Sequence, residues 1–250
     1  MTAQTQATGD FMIDAHMHFG DFVYKGRNWS SYEEYVKAAE SVGVKRFCAV
    51  PIGKHSDFAN KSTPDNESIL KLAKRDKRVI PVFWLNILDF SKKERSSLDQ
   101  FFAVKLHPDL GEFAIDDPRV IRIVNDIDLP VFVHTNESKD HSSLQRMTNL
   151  AKRFPKKKFI AIHSGSVTRT FFKLHDYAIP DNLYFDVSGV QYELILKKLH
   201  SMVGADRMIF GSDYPFGDPR VALERIRVIA RNKREFDRMT ERNIAELLGL

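Results

Sequence analysis

Several things are scarce in this chain, and each scarcity excludes something. There is one cysteine, Cys48. A single thiol rules out an intrachain disulfide framework and fits a reducing compartment, so a cytoplasmic location is expected. Cys48 sits in the apolar run Arg46-Phe-Cys-Ala-Val50, which predicts a buried free thiol rather than a nucleophile. No run of about 18 consecutive apolar residues exists, so no membrane span is expected. Residues 1–10 are polar, lack the apolar stretch of a signal peptide, and read as a flexible tail. No Gly-rich fingerprint follows an early strand, which argues against a doubly wound nucleotide-binding sheet. No linker rich in Pro, Gly or Ser divides residues 11–250, so they read as one domain.

Charge of one sign is also scarce. The net charge is +5, from 38 basic and 33 acidic residues. Lys92-Lys93 and Lys156-Lys-Lys158 are the evident basic clusters, and the second reads as a helix-to-strand turn. Nucleic-acid binding would need a broader basic stripe with aromatic partners, so none is expected. The small excess is compatible with an anionic small-molecule substrate.

What is present is a packed, repeating pattern. Apolar residues make up 43% of the chain, and 19 of them are Phe. Short runs rich in Val, Ile and Phe alternate with longer amphipathic segments. The strands read as Phe11 to His16, Val44 to Ile52, Arg78 to Ile87, Phe101 to Leu106, Pro130 to Thr135, Phe159 to His163, Asn182 to Val187 and Arg207 to Phe210. Helices are expected from Ser30 or Ser31 to Ser41, from Thr63-Pro64 to Arg75, over 118–127, 142–154, 167–177, 191–202 and 219–230, and over 241–248. A reduced helix is all that 89–100 allows. Strands that are apolar nearly throughout belong to a parallel sheet covered on both faces. Eight βα units in roughly 240 residues is the size of a (β/α)8 TIM barrel.

In such a barrel the chemistry lies at the carboxyl ends of the strands. His16 and His18 are two residues apart on the first strand, so both imidazoles can share a face. Lys105 and His107 end the fourth strand, His134 the fifth and His163 the sixth, while Asp213 follows the eighth. Buried imidazoles and carboxylates are costly unless paired or bound to metal. One rim carrying four strand-end histidines and Asp213 therefore points to a metal site for zinc or another first-row divalent ion. Phase counting puts Asp14 on the same face as His16 and His18, where it could orient a ligand or Lys105. Asp186 could act behind the ligands or in a salt bridge. Trp29, Trp84, Asn86, His55, Asn136, Ser164 and Tyr214 are weaker candidates for touching substrate. His141, His175 and His200 read as solvated.

Asp14-Ala-His-Met-His18, His134, His163 and Gly211-Ser-Asp-Tyr-Pro215 resemble the amidohydrolase superfamily. Within it they resemble the amidohydrolase-related group that also holds aminocarboxymuconate semialdehyde decarboxylase-like enzymes. Asn243-Ile-Ala-Glu-Leu-Leu-Gly-Leu250 looks like that group's usual ending. The resemblance spans residues 12 to 250. It implies that His16, His18, His134 and Asp213 bind one divalent ion, zinc or else manganese, iron or cobalt. It implies that His163 stands beside the reacting water. Lys105 is left with three readings: a carboxylated bridge between two ions, an ammonium paired with a carboxylate such as Asp14, or a binder of an acidic substrate. His107 either lines the pocket or makes a local hydrogen bond.

The leading expectation is a metal-dependent hydrolase of an amide, ester or lactone. Asp213 would handle protons, and a protonated His163 would help stabilise the oxyanion. The alternative is a non-oxidative decarboxylase of an aromatic or unsaturated carboxylic acid. An arginine in an early loop would favour it, and Arg27 is the candidate. A homo-oligomer fits an enzyme of this type, but no stretch of sequence reads as an interface.

Overall fold

Runs such as Val131-Phe-Val-His134 and Phe159-Ile-Ala-Ile162 bury every apolar side chain, as strands covered on both faces require. The computed structural model describes residues 11–21, 23–24, 27–28, 31–52, 65–166, 173 and 176–250. The strands are β1 (Met12–Phe19), β2 (Val23–Tyr24), β3 (Arg27–Asn28), β4 (Val44–Pro51), β5 (Val79–Trp84), β6 (Ala103–Leu106), β7 (Val131–His134), β8 (Phe159–Ile162), β9 (Leu183–Asp186) and β10 (Met208–Ile209). Eight of them form one parallel sheet in the order β1-β4-β5-β6-β7-β8-β9-β10. The two ends of that sheet meet. Ala15 N donates to Phe210 O at 2.9 Å, His18 N donates to Tyr214 O at 2.8 Å, and Met17 bridges Tyr214 in parallel. The expected (β/α)8 barrel is therefore what forms. Strands β2 and β3 pair as a small antiparallel hairpin, where the sequence reads as loop.

The helices start where side chains can satisfy their first N–H groups. The Ser31 hydroxyl accepts from Glu34 N at 3.3 Å and opens Tyr32–Ser41, and Gly43 follows that helix with a φ of +86°. Ser91 and Glu94 form a capping box on the short helix Lys92–Ser97. Asp117 before Pro118 and Asp218 before Pro219 cap helices with proline in the first turn. The helix expected from Thr63-Pro64 has Asp65 as its cap and spans Asn66–Arg75; Thr63 and Pro64 lie outside the described residues. So do Trp29, His55, Phe171, Phe172, His175, residues 1–10 and nearly all of the expected 167–177 helix.

Two apolar layers result. Helix residues such as Tyr35, Ile69, Val120 and Leu223 pack on the outward faces of the strands. Ile13, Ala15, Cys48, Ile80, Phe132 and Ile160 fill the barrel, joined by Ile244, Leu247 and Leu248 of the last helix, Asn243–Leu248. Leu247 lines the same surface cleft as Pro130 and Lys158, which stand at the amino ends of β7 and β8. That helix thus closes the floor, opposite the strand-end histidines. Cys48 is fully buried in this inner layer, as expected.

Strand β1 is not regular. Its register against β4 shifts between Asp14 and Met17, a bulge that changes the phase of the side chains. Ile13 and Ala15 belong to the inner layer, whereas Met17 belongs to the outer one. Asp14 therefore faces outward. Its Oδ2 accepts from the hydroxyl of Tyr35, 3.0 Å away in the covering helix. Counting by twos fails here, and Asp14 does not share the face of His16 and His18.

Candidate metal centre

The bulge turns His16 and His18 together toward the carboxyl end of the barrel. Their ring centroids are 4.9 Å apart. Asp14 fixes the bulge from behind: its Oδ1 accepts from His16 N at 3.0 Å and from Ser212 N at 2.9 Å. It thus ties β1 to the loop that carries Asp213. Burial pushes the Asp14 carboxyl up to about 6, against the hydrogen bonds it accepts.

Asp213 arrives from the other side of the seam. Its N donates to His16 O at 2.6 Å, and its backbone is left-handed, with φ +59°. His163 is left-handed too, at φ +67°, in the turn that follows β8. Such backbone is uncommon outside glycine and collects at functional sites. It aims both side chains inward. Asp213 Oδ1 lies 3.3 Å from His18 Nε2 and 3.6 Å from His16 Nδ1, and Oδ2 lies 4.0 Å from His163 Nε2.

Two groups of potential ligands share His16. One is His16, His18 and Asp213; the other is His16, His163 and Asp186; within each group the ligand atoms lie within 4.8 Å of one another. These donors fit a divalent ion. Burial holds the imidazoles of His16 and His134 below their ordinary range and that of His163 at about 4, so their lone pairs stay free at neutral pH. His18 Nδ1 and His134 Nδ1 are buried with no hydrogen-bond partner, an arrangement that is costly unless something else binds there. Burial opposes the charge on Asp213, but His163 and the His18 hydrogen bond outweigh it and keep the carboxyl low. Neutral imidazoles around a charged carboxylate make a divalent-metal site.

His134 stands beside these two groups rather than within either. Its ring stacks on His107 at 3.9 Å and 15°, and His107 stacks on Trp84 at 5.6 Å and 21°. On its other side it meets the edge of His163 at 4.9 Å. Of the two readings the sequence left open for His107, the local hydrogen bond is present, its Nδ1 accepting from Leu110 N at 3.3 Å. Lys105 Nζ is 3.3 Å from His16 Nε2, and its charged neighbours are Asp213 and Asp186, not Asp14. Burial brings the ammonium down to about 8.

The expected protonated His163 does not fit. With its pKa at about 4 the ring is neutral at pH 7. Its tautomer follows from its neighbours. Nδ1 lies 3.3 Å from the carbonyl oxygen of Ser188, which can only accept, so Nδ1 carries the hydrogen. Nε2, facing Asp213, keeps its lone pair. Ser188 Oγ is 3.0 Å from the same Nδ1 and also bonds Asp186 Oδ2. Burial raises the Asp186 carboxyl.

The weaker candidates mostly serve the scaffold. Ser164 donates to Asp186 O at 2.6 Å, Asn136 holds Asp109, and the Tyr214 hydroxyl bonds the backbone of Ser31. His200, expected to be solvated, is buried and pairs with Glu235 at 3.2 Å. His141 is part-exposed and pairs with Asp109 at 3.0 Å. Ser188 and Asp109 were not legible as site residues.

A family model described as amidohydrolase matches residues 13–250. The chain belongs to the amidohydrolase family. Similar folds include a TIM-barrel protein of Bordetella bronchiseptica at 17% identity, with 96% of this chain and 98% of that one covered and a TM-score of 0.73. A 2,6-dihydroxybenzoate decarboxylase from Rhizobium is 14% identical, with coverages of 96% and 98% and a TM-score of 0.73. A dihydroxybenzoic acid decarboxylase from Polaromonas, solved with manganese and 2-nitroresorcinol, is 14% identical, with coverages of 96% and 97% and a TM-score of 0.70. No curated protein matches the chain. Fold, family and ligand set together define a metal-dependent enzyme. No described helix is long and apolar enough to cross a membrane.

Proposed function

We propose that the chain is a divalent-metal-dependent, non-oxidative decarboxylase of an aromatic or unsaturated carboxylic acid. The observation that carries this reading is the flat stack of Trp84, His107 and His134, which leads directly to His163 and the metal group. Such a stack suits the extended flat face of an aromatic or conjugated acid. The decarboxylases among the similar folds, one of them with manganese bound, support the same choice and favour manganese as the ion.

His16, His18 and Asp213, with His134 beside them, would hold the ion. When bound, a divalent ion gathers the negative oxygens of the substrate and offsets their charge. The chain supplies the rest. The ring stack fixes the plane of the acid and so the angle of approach. Asp213, charged at rest, first takes up a proton and then gives it to the carbon that bears the carboxylate. The bond to the carboxylate then breaks, its electron pair returns to the unsaturated system, and carbon dioxide leaves. His163 Nε2, 4.0 Å from Asp213 Oδ2, takes that proton from solvent on its lone pair and hands it to Asp213 before each turnover.

Hydrolysis of an amide, ester or lactone is the second reading. The low pKa of Asp213 favours it, because a carboxylate that stays charged can take a proton from water. The deciding experiment reloads metal-free protein with Mn2+ or Zn2+. It then screens aromatic and unsaturated acids beside lactones, esters and amides. Release of carbon dioxide from an acid is the expected result. Cleavage of a lactone, ester or amide, with no carbon dioxide from any acid, overturns the decarboxylase reading.

A further inference from the structure

Asp109 lies just beyond β6, in the single helical turn Pro108–Gly111. Its carboxylate is nearly buried and gathers polar neighbours from one stretch of chain, the end of β7 and the loop after it. His134 Nε2 is 3.3 Å away, Asn136 Nδ2 3.2 Å, His141 Nε2 3.0 Å and Lys139 Nζ 3.5 Å, and the Ser142 hydroxyl donates to Oδ1. Burial opposes the charge, but the bonds from His134 and Ser142 outweigh it and hold the carboxyl well below its usual range.

A carboxylate accepts and does not donate. His134 Nε2 therefore carries the hydrogen, and Nδ1 is left with the lone pair. That Nδ1 is buried and bonds nothing. We infer that Asp109 is a positioning residue for His134, fixing its Nε2 edge and reserving Nδ1 for the divalent ion. The carboxylate behind a ligating imidazole sets both the ring's orientation and which nitrogen is free. Asp109 reaches the metal group only through His134. The inference rests on the reading of His134 as a ligand in the proposed function.

Asp109→Asn tests it. The amide keeps one acceptor oxygen, for which Asn136, Lys139 and Ser142 all compete, so the hold on His134 Nε2 is lost. The wild-type protein, metal-free, is expected to show a single Nε2–H tautomer of His134 by 15N NMR. Asp109→Asn is expected to show a mixture, and to bind Mn2+ about 10- to 100-fold more weakly in competition with a chelator. The double variant His141→Gln, Ser142→Ala loosens the loop but keeps the Asp109–His134 contact, and is expected to bind Mn2+ as the wild type does. The inference is overturned if Asp109→Asn keeps both tautomer and affinity. It is equally overturned if the double variant loses as much affinity, since Asp109 would then act only by holding the loop. His134→Ala separates the two levels. If it binds Mn2+ as tightly as wild type, the ligand reading itself fails, and the inference with it, whatever the tautomer.

Discussion

His163 Nδ1 lies 3.0 Å from Ser188 Oγ, and the same hydroxyl bonds the buried carboxylate of Asp186. The hydroxyl donates its one hydrogen to Asp186 and accepts from His163, so a chain of three groups fixes which face of the imidazole is basic. Ser188→Ala cuts the chain and leaves only the backbone carbonyl at 3.3 Å. Turnover of the identified substrate is expected to fall about 10- to 100-fold in a protein that is still folded, at a cost of about 1–3 kcal/mol for the lost buried hydrogen bonds. Turnover equal to wild type would mean that Ser188 does not set the orientation of His163.

Gly189 and Gly204 form a matched pair. Both have positive φ, +67° and +71°, which favours glycine. An added Cβ at Gly189 would meet His163 Nδ1 at 2.9 Å, whereas at Gly204 nothing lies within 4 Å. Alanine at either position is expected to cost about 1–3 kcal/mol in backbone strain, measured by denaturant unfolding. Only Gly189→Ala should also lose activity. Full activity in a folded Gly189→Ala protein would contradict the close approach to His163.

Asp14 makes a pH-dependent contribution whose sign is fixed. Its carboxyl is held at about 6 when folded, against 3.8 for the free group. The folded state therefore binds more protons than the unfolded state in that interval. The associated stability is present below about 4 and lost as pH rises through about 6, on the order of 3 kcal/mol. Asp14→Asn keeps an acceptor for His16 N and Ser212 N and turns its amide to the Tyr35 oxygen. In metal-free protein, the melting temperature of Asp14→Asn minus that of wild type should rise between pH 4 and pH 7.5. Curves that stay parallel across that range would show that the buried carboxyl carries no such cost.

Ion binding should read out as stability. Mn2+ at about 100 times its Kd should stabilise metal-free protein by about 2.7 kcal/mol. His18→Ala and Asp213→Asn, each removing a member of the same ligand group, should abolish most of that rise. A wild-type melt that ignores Mn2+ and Zn2+ alike would dispose of the metal site.

Much of this was legible in the chain. Apolar runs such as Val131-Phe-Val133 and Phe159-Ile-Ala-Ile162 mark buried parallel strands, and a histidine straight after each marks the rim. The outward turn of Asp14 was not legible, because a bulge is a tertiary adjustment and period-two counting assumes there is none. Asp109 was hidden for another reason. Its partners lie across a strand-to-strand crossover, and no local pattern links Pro108-Asp-Leu110 to His134. Two features were readable and missed. Leu196, Leu199, His200 and Val203 share one buried helical stripe, which places His200 inside. Asn232 with Glu235 three residues on announces the helix Lys233–Asp237, where the Asn232 side chain accepts from Glu235 N.

The seam joining β1 to the segment after β10 has a consequence for biosynthesis. Met17 finds its second neighbour only in Tyr214, and the floor is sealed only by residues 244–248. While the ribosome is still translating the chain, the first strand is an open edge, able to pair with any other extended segment. Contacts that span most of the sequence also make folding slow. The most aggregation-exposed interval for this enzyme therefore lasts from the emergence of β1 until residues 210–248 have followed, and the histidines of β1 stay open for all of it.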